Sequence, residues 1–150
     1  MTRIVTPQAA LAVYAQNVED FEQGAPILLC VGETVTPIML VDAAPDASRT
    51  GNEQYAEVIN RMEPPHPMEQ VVFSNEAWVQ IDNVPGEAAL IYSVSSEGGW
   101  RVMAPFVRER VGVVEWADTA LMARPEDLSP SEREVFDALA GFMRRSKVTS

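Results

Sequence analysis

The sequence predicts an α+β fold: an antiparallel β-sheet, made of a hairpin plus a four-strand meander, covered by helices in the order α-β-β-α-β-β-β-β-α. Three observations carry this reading. Apolar residues recur at three- and four-residue spacing in three segments flanked by capping or breaking residues. Between Gln70 and Trp116 the apolar period falls to two, interrupted only by short turn signals. Strands and helices are segregated rather than strictly alternating, as in α+β domains. A chain of 150 residues with a 47% hydrophobic fraction is one domain's worth and large enough to bury a core.

The first helix opens at Thr6, a residue suited to the N-cap, with Pro7 at the first helical position. Leu11, Tyr14, Ala15, Val18 and Phe21 fall on one face, and Gly24 is a natural stop. Two short apolar runs follow, residues 27–31 and 35–41, joined by Gly32-Glu33 in a hairpin. The first run does not alternate, so it requires cover on both faces, from helices or from another chain. Pro37 cannot donate a ladder hydrogen bond and marks the second run as an edge or bulged strand. Residues 42–51 read as a surface loop. Tyr55, Val58, Ile59 and Met62 form the stripe of a second helix, which Pro64-Pro65-His66-Pro67 terminates.

In the meander, turns are expected at Pro85-Gly86, Gly98-Gly99 and Arg108-Glu109-Arg110. In its first strand Val71, Phe73, Ala77, Val79 and Ile81 take one face. Ser74, Glu76, Trp78, Gln80 and Asp82 take the other. Ser129-Pro130-Ser131-Glu132 is a capping box that opens a third helix. Val135, Phe136, Leu139, Phe142 and Met143 form its apolar stripe, and Arg144, Arg145 and Lys147 suit its C-terminal turn.

Composition excludes several chemistries. Twenty-two acids against eleven bases give a net charge of −11, which repels phosphate backbones and anionic lipid. Neither direct nucleic-acid binding nor membrane binding is expected. Lys147 is the sole lysine, so no internal amine is available for Schiff-base chemistry. Cys30 and His66 are each alone of their kind, which leaves no zinc set, and no cofactor is expected. Cys30 sits in an apolar strand, where a thiol is a packing residue. His66 reads as an exposed loop histidine. The chain has no Gly-x-Ser-x-Gly elbow, no Gly-x-Gly-x-x-Gly run and no phosphate-binding Gly-Lys-Ser/Thr. Its start lacks the apolar stretch of a signal peptide, and a cytoplasmic setting is expected.

The candidate binding surface is the polar face of the 70–82 strand: Ser74, Glu76, Trp78 and Gln80, with Arg101 and Arg108 expected across from its carboxylates. A large aromatic ringed by polar groups is typical of recognition surfaces. The plainer reading is a tryptophan lying under a helix or loop, with Glu76 paired to an arginine for structural reasons.

The run Val71-Val72-Phe73-Ser74-Asn75-Glu76-Ala77-Trp78 and the strands after it resemble a group of small bacterial and phage proteins that share a Phe-x-Ser-Glu-Ala-Trp-like strand. The likeness covers the central third of the chain, with a looser echo of the helix-hairpin-helix before it. Asn75 stands where that pattern has serine. The resemblance implies an α+β fold and no particular activity.

The expected function is that of a non-catalytic intracellular interaction protein, binding another protein or itself as a homodimer. One alternative is a carboxylate-dependent enzyme or small-ligand binder centred on Glu76 and Trp78, which requires a concave pocket there. A second alternative is an acidic inhibitor that mimics nucleic acid, which requires carboxylates at phosphate-like spacing.

Overall fold

The computed structural model describes residues 5–20, 26–40, 51–81, 83–110, 113–116 and 121–148. Its elements are α1 (Pro7–Asp20), β1 (Ile27–Val31), β2 (Val35–Met39), α2 (Gly51–Arg61), β3 (Gln70–Ile81), β4 (Val84–Ser95), β5 (Gly98–Arg110), β6 (Val113–Trp116), β7 (Leu121–Ala123) and α3 (Pro130–Val148). The fold is α+β, and its element order is the expected one with two additions: the three-residue strand β7 and a 3₁₀ turn at Pro125–Asp127. The sheet is antiparallel, in the order β2-β1-β3-β4-β5-β6, with β7 pairing β5.

Connectivity follows from pairing. Both β2 and β3 run antiparallel to β1, so they are parallel to each other and need a crossover, which α2 supplies. Pro37 sits in the terminal strand β2, where a missing donor is tolerated.

Helices cover both sheet faces. On one, Leu28, Cys30, Val71, Phe73, Leu90 and Tyr92 pack under α2 and α3, against Ile59, Val135, Leu139 and Phe142. On the other, Val72, Ala89, Ile91, Val102, Ala104 and Phe106 pack under α1, against Ala10 and Tyr14. The polar face expected of β3 is thus closed at its start, where Val72 is wholly buried and Ser74 is 6% exposed.

Helix ends follow the sequence signals. Ala9 N–H donates to Thr6 Oγ1 at 3.2 Å. At α3 the Ser129 amide donates to Glu132 Oε1 and the Glu132 amide to Ser129 Oγ, each at 3.4 Å, a reciprocal capping box. Arg145, in the last turn of α3 as expected, also serves the neighbouring helix: its Nη2 donates to the carbonyls of Ile59 (2.8 Å) and Met62 (3.1 Å), closing the C-terminus of α2. Val18's side chain, Phe21, Gly24, Asp82 and most of the 42–51 loop lie outside the described residues.

Two expected turns fall elsewhere. The β3–β4 ladder runs to Ile81 opposite Val84, and Pro85-Gly86 lies within β4. The reversal uses Asn83 at φ 66°, a left-handed conformation that asparagine tolerates, while Pro85, second in β4, lies before the β4–β5 ladder begins at Glu87 and so has no β5 partner to lose. Arg108 to Arg110 belong to β5, which continues through a register shift to pair β6. The β4–β5 reversal does reach Gly98, whose φ of 120° only glycine adopts readily.

Candidate functional site

Register decides which residues share a face. Ile27 stands opposite Ser74, Leu29 opposite Val72 and Val31 opposite Gln70. Across β2, Ile27 pairs Met39, Leu29 pairs Pro37 and Val31 pairs Val35. Directly opposed residues share a face, so Val35, Pro37 and Met39 lie on the same face as Ser74 and Glu76, the side that carries α1.

Along β3, Ser74 is buried, Glu76 half-buried and Gln80 exposed. The backbone places Trp78 opposite Glu87, one strand from Phe106, while its side chain lies outside the described residues. Arg108 also has only its backbone described, in β5 beyond the last β4–β5 pair, Glu87 with Phe106.

Arg101 is not brought to this surface. It stands opposite Tyr92, which stands opposite Phe73, so it occupies the α2–α3 face. Its Nη1 meets Glu132 Oε2 at 2.5 Å, with the two side chains 14% and 17% exposed. The physical reason is the odd–even offset: Val102 and Ala104 face α1, so Arg101, one residue before Val102, faces the other way. Tyr92 lies beside this pair; burial, and then the negative Glu132, push its phenol above the ordinary value, with Arg101 pulling the other way.

What the structure adds is a set of exposed apolar side chains on β2, while Val31 on the same face of β1 is buried. The main packing of helix α1 is on β4, β5 and β6. Val35 is 57% exposed, Met39 53% exposed, Pro37 exposed, and Ile27 and Leu29 half-buried. The signal in the sequence was the i, i+2, i+4 recurrence of Val35, Pro37 and Met39, which the alternation of a half-covered strand explains.

Charge is unevenly divided. Residues 1–100 hold fourteen of the twenty-two acids and three of the eleven bases, whereas residues 101–150 hold eight of each. The whole net charge therefore belongs to the part of the chain that builds α1, α2 and strands β1 to β4. From residue 4 to residue 48 there is no lysine or arginine.

Two clefts lie on other parts of the molecule. A groove of about 600 Å³ between α2 and α3 is lined by Glu53, Glu57, Glu134 and Asp137, with Arg61 bonded to Glu57 at 2.6 Å. A cleft of about 380 Å³ lies between the β1–β2 turn and the proline-rich loop, lined by Gly32, Glu33, His66 and Met68. Glu76 lines neither. Among the described residues no three His, Cys, Asp or Glu side chains gather as metal ligands.

His66 is half-buried rather than an exposed loop residue. Its Nδ1 faces the carbonyl of Pro67 at 2.9 Å; a carbonyl only accepts, so in the neutral ring Nδ1 carries the proton. Nε2 then accepts from Thr36 Oγ1, also at 2.9 Å, tying the edge strand to the loop. A side-chain carbon at Gly32 would lie 2.3 Å from Pro67 O, so this approach requires glycine. Cys30 is wholly buried, and burial pushes its thiol up to about 11.

Comparison of the chain with protein-family models, curated proteins and solved structures finds no match in any of the three.

Proposed function

We propose that this chain is a non-catalytic interaction protein of the cytoplasm that docks a second polypeptide, another copy or a different protein, on the open face of β1 and β2. One observation carries the reading: Val35 and Met39, on one face of the edge strand β2, are more than half exposed. Clustered exposed apolar side chains bounded by polar groups are typical of interaction sites. Glu76 and Gln80, on the same face, supply the polar margin, and Trp78 occupies the register position between them.

The residue chemistry supports a binding role over catalysis. Both ring nitrogens of His66 are engaged, and the Cys30 thiol stays protonated at neutral pH. No helix among the described residues is long and apolar enough to cross a membrane.

The test is affinity capture from native lysate with wild type and with the Val35→Ser/Met39→Ser double variant. A partner, or a second copy, retained by wild type and lost by the variant is the expected result. Identical capture by both proteins would remove the docking role of this face.

A further inference from the structure

We infer that α1 is a releasable strap over one face of the sheet, and that the side chain of Gln70 is the latch that holds it down. The strap is independent of the docking role proposed for β2.

The latch is a carboxamide with both of its N–H groups and its oxygen engaged. Gln70 is wholly buried. Its Oε1 accepts from the Val5 amide at 2.6 Å, and its Nε2 donates to the Val5 carbonyl at 3.0 Å. Nε2 also donates to Ser93 Oγ at 2.8 Å, on an equally buried serine. The backbone of Gln70 stands between Val31 of β1 and Ser95 of β4, so no strand edge is open beside it. Its side chain therefore holds the segment that enters α1, and presents to Val5 the N–H and C=O that a neighbouring strand would offer.

Little else fastens this helix. Among the described side chains of α1 only Ala10 and Tyr14 are buried; Leu11 is half-buried and Val13 is 60% exposed. Helix α3, by contrast, buries Val135, Ala138, Leu139, Phe142 and Met143. The residues under α1 also form a core cluster separate from the one under α2 and α3. Elements with few buried apolar contacts open locally while the rest stays folded, so α1 can lift with the α2–α3 core intact. Lifting uncovers Val72, Ile91, Val102 and Phe106, each at most 4% exposed when the strap is down. The strap thus switches an apolar sheet face between covered and open. Hydrophobic burial favours reclosing. The three bonds of Gln70 add to the closed state, because each is made where water does not compete.

The experiment is amide hydrogen exchange on the full chain, under conditions where exchange follows the opening equilibrium. In wild type the amides of residues 10–16 are expected to exchange about tenfold or more faster than those of Leu139 and Phe142 in α3. Gln70→Leu keeps an apolar side chain in place and removes the latch. It should speed the α1 amides by a further factor of about ten or more and leave the α3 amides unchanged. Val5→Pro removes the donor at the other end of the latch without altering β3. It should give the same selective acceleration, and it carries the test where Gln70→Leu does not fold.

Acceleration shared equally by α1 and α3 would make Gln70 an ordinary core residue and would overturn the latch. Unchanged α1 exchange in both variants would overturn it as well. Wild-type α1 amides as protected as those of α3 would overturn the strap itself.

Discussion

Arg101 on β5 and Glu132 in the first turn of α3 meet at 2.5 Å, across a 31-residue separation, with both side chains more than four-fifths buried. One carboxylate does two jobs: Oε2 holds the arginine, while Oε1 accepts from the amide and hydroxyl of Ser129 at 3.4 and 3.0 Å. The capping box that starts α3 is thereby locked to the sheet beneath it.

Breaking this pair from one side strands a charge. Glu132→Ala is expected to cost about 3 kcal/mol in urea unfolding, through the lost cap and an uncompensated Arg101. Arg101→Met combined with Glu132→Gln should cost less than the sum of the two single changes, because neither charge is then left alone. Additive losses would mean that the two residues do not interact.

Gly99 is a matter of space, not of backbone freedom. A side-chain carbon there would lie 2.2 Å from Phe136 Cζ and 2.4 Å from Cε2. Gly99→Ala is expected to destabilise by about 1–3 kcal/mol, and Phe136→Leu in the same chain should recover part of that loss. At Gly98 an added carbon meets nothing within 4 Å, so any cost of Gly98→Ala comes from its φ of 120° and stays unrelieved by Phe136→Leu.

Leu139 is wholly buried among α2, α3 and the sheet. Leu139→Ala should lower unfolding free energy by about 2–5 kcal/mol through lost burial and a residual cavity. A loss below about 1 kcal/mol would mean that α3 is not docked.

Alkaline pH should destabilise the fold. Burial raises the Cys30 thiol from 9.0 to about 11 and raises the phenols of Tyr92 and Tyr55, so the folded state holds these protons more tightly than the unfolded state. The contribution is fully present below pH 9 and is lost as pH climbs toward and through 11. Chemical unfolding at pH 8 and pH 10.5 should show a fall of about 2 kcal/mol or more, and Cys30→Ala should shrink that fall. An unchanged midpoint across this window contradicts the burial of these groups.

Local signals survived the passage from sequence to structure; non-local ones did not. Thr6 with Pro7, and Ser129 with Glu132, act within one helical turn, so their roles were legible. The alternation of β3 was legible because the pleat has period two. The face taken by Arg101 depends on a register running through Tyr92 to Phe73, which no single strand encodes. Ser74 looked polar and exposed, yet Ile91 and Val102 beside it are covered by α1, a contact between distant segments. Strand β7 has only three residues and pairs Arg101 to Met103, too short to leave a period. The hairpin's need for cover was legible from Ile27 to Val31; that it falls short on the outer residues of β2 emerged only with the footprint of α1.

The most direct test of the docking face is an amide chemical-shift titration of the isotope-labelled full chain with the polypeptide that wild type retains from lysate. Perturbations concentrated on residues 27–39 and on Ser74, Glu76 and Gln80 are the predicted result. Perturbations centred instead on Glu53, Glu57, Glu134 and Asp137, with the hairpin silent, would contradict it and move the binding surface to the groove between α2 and α3.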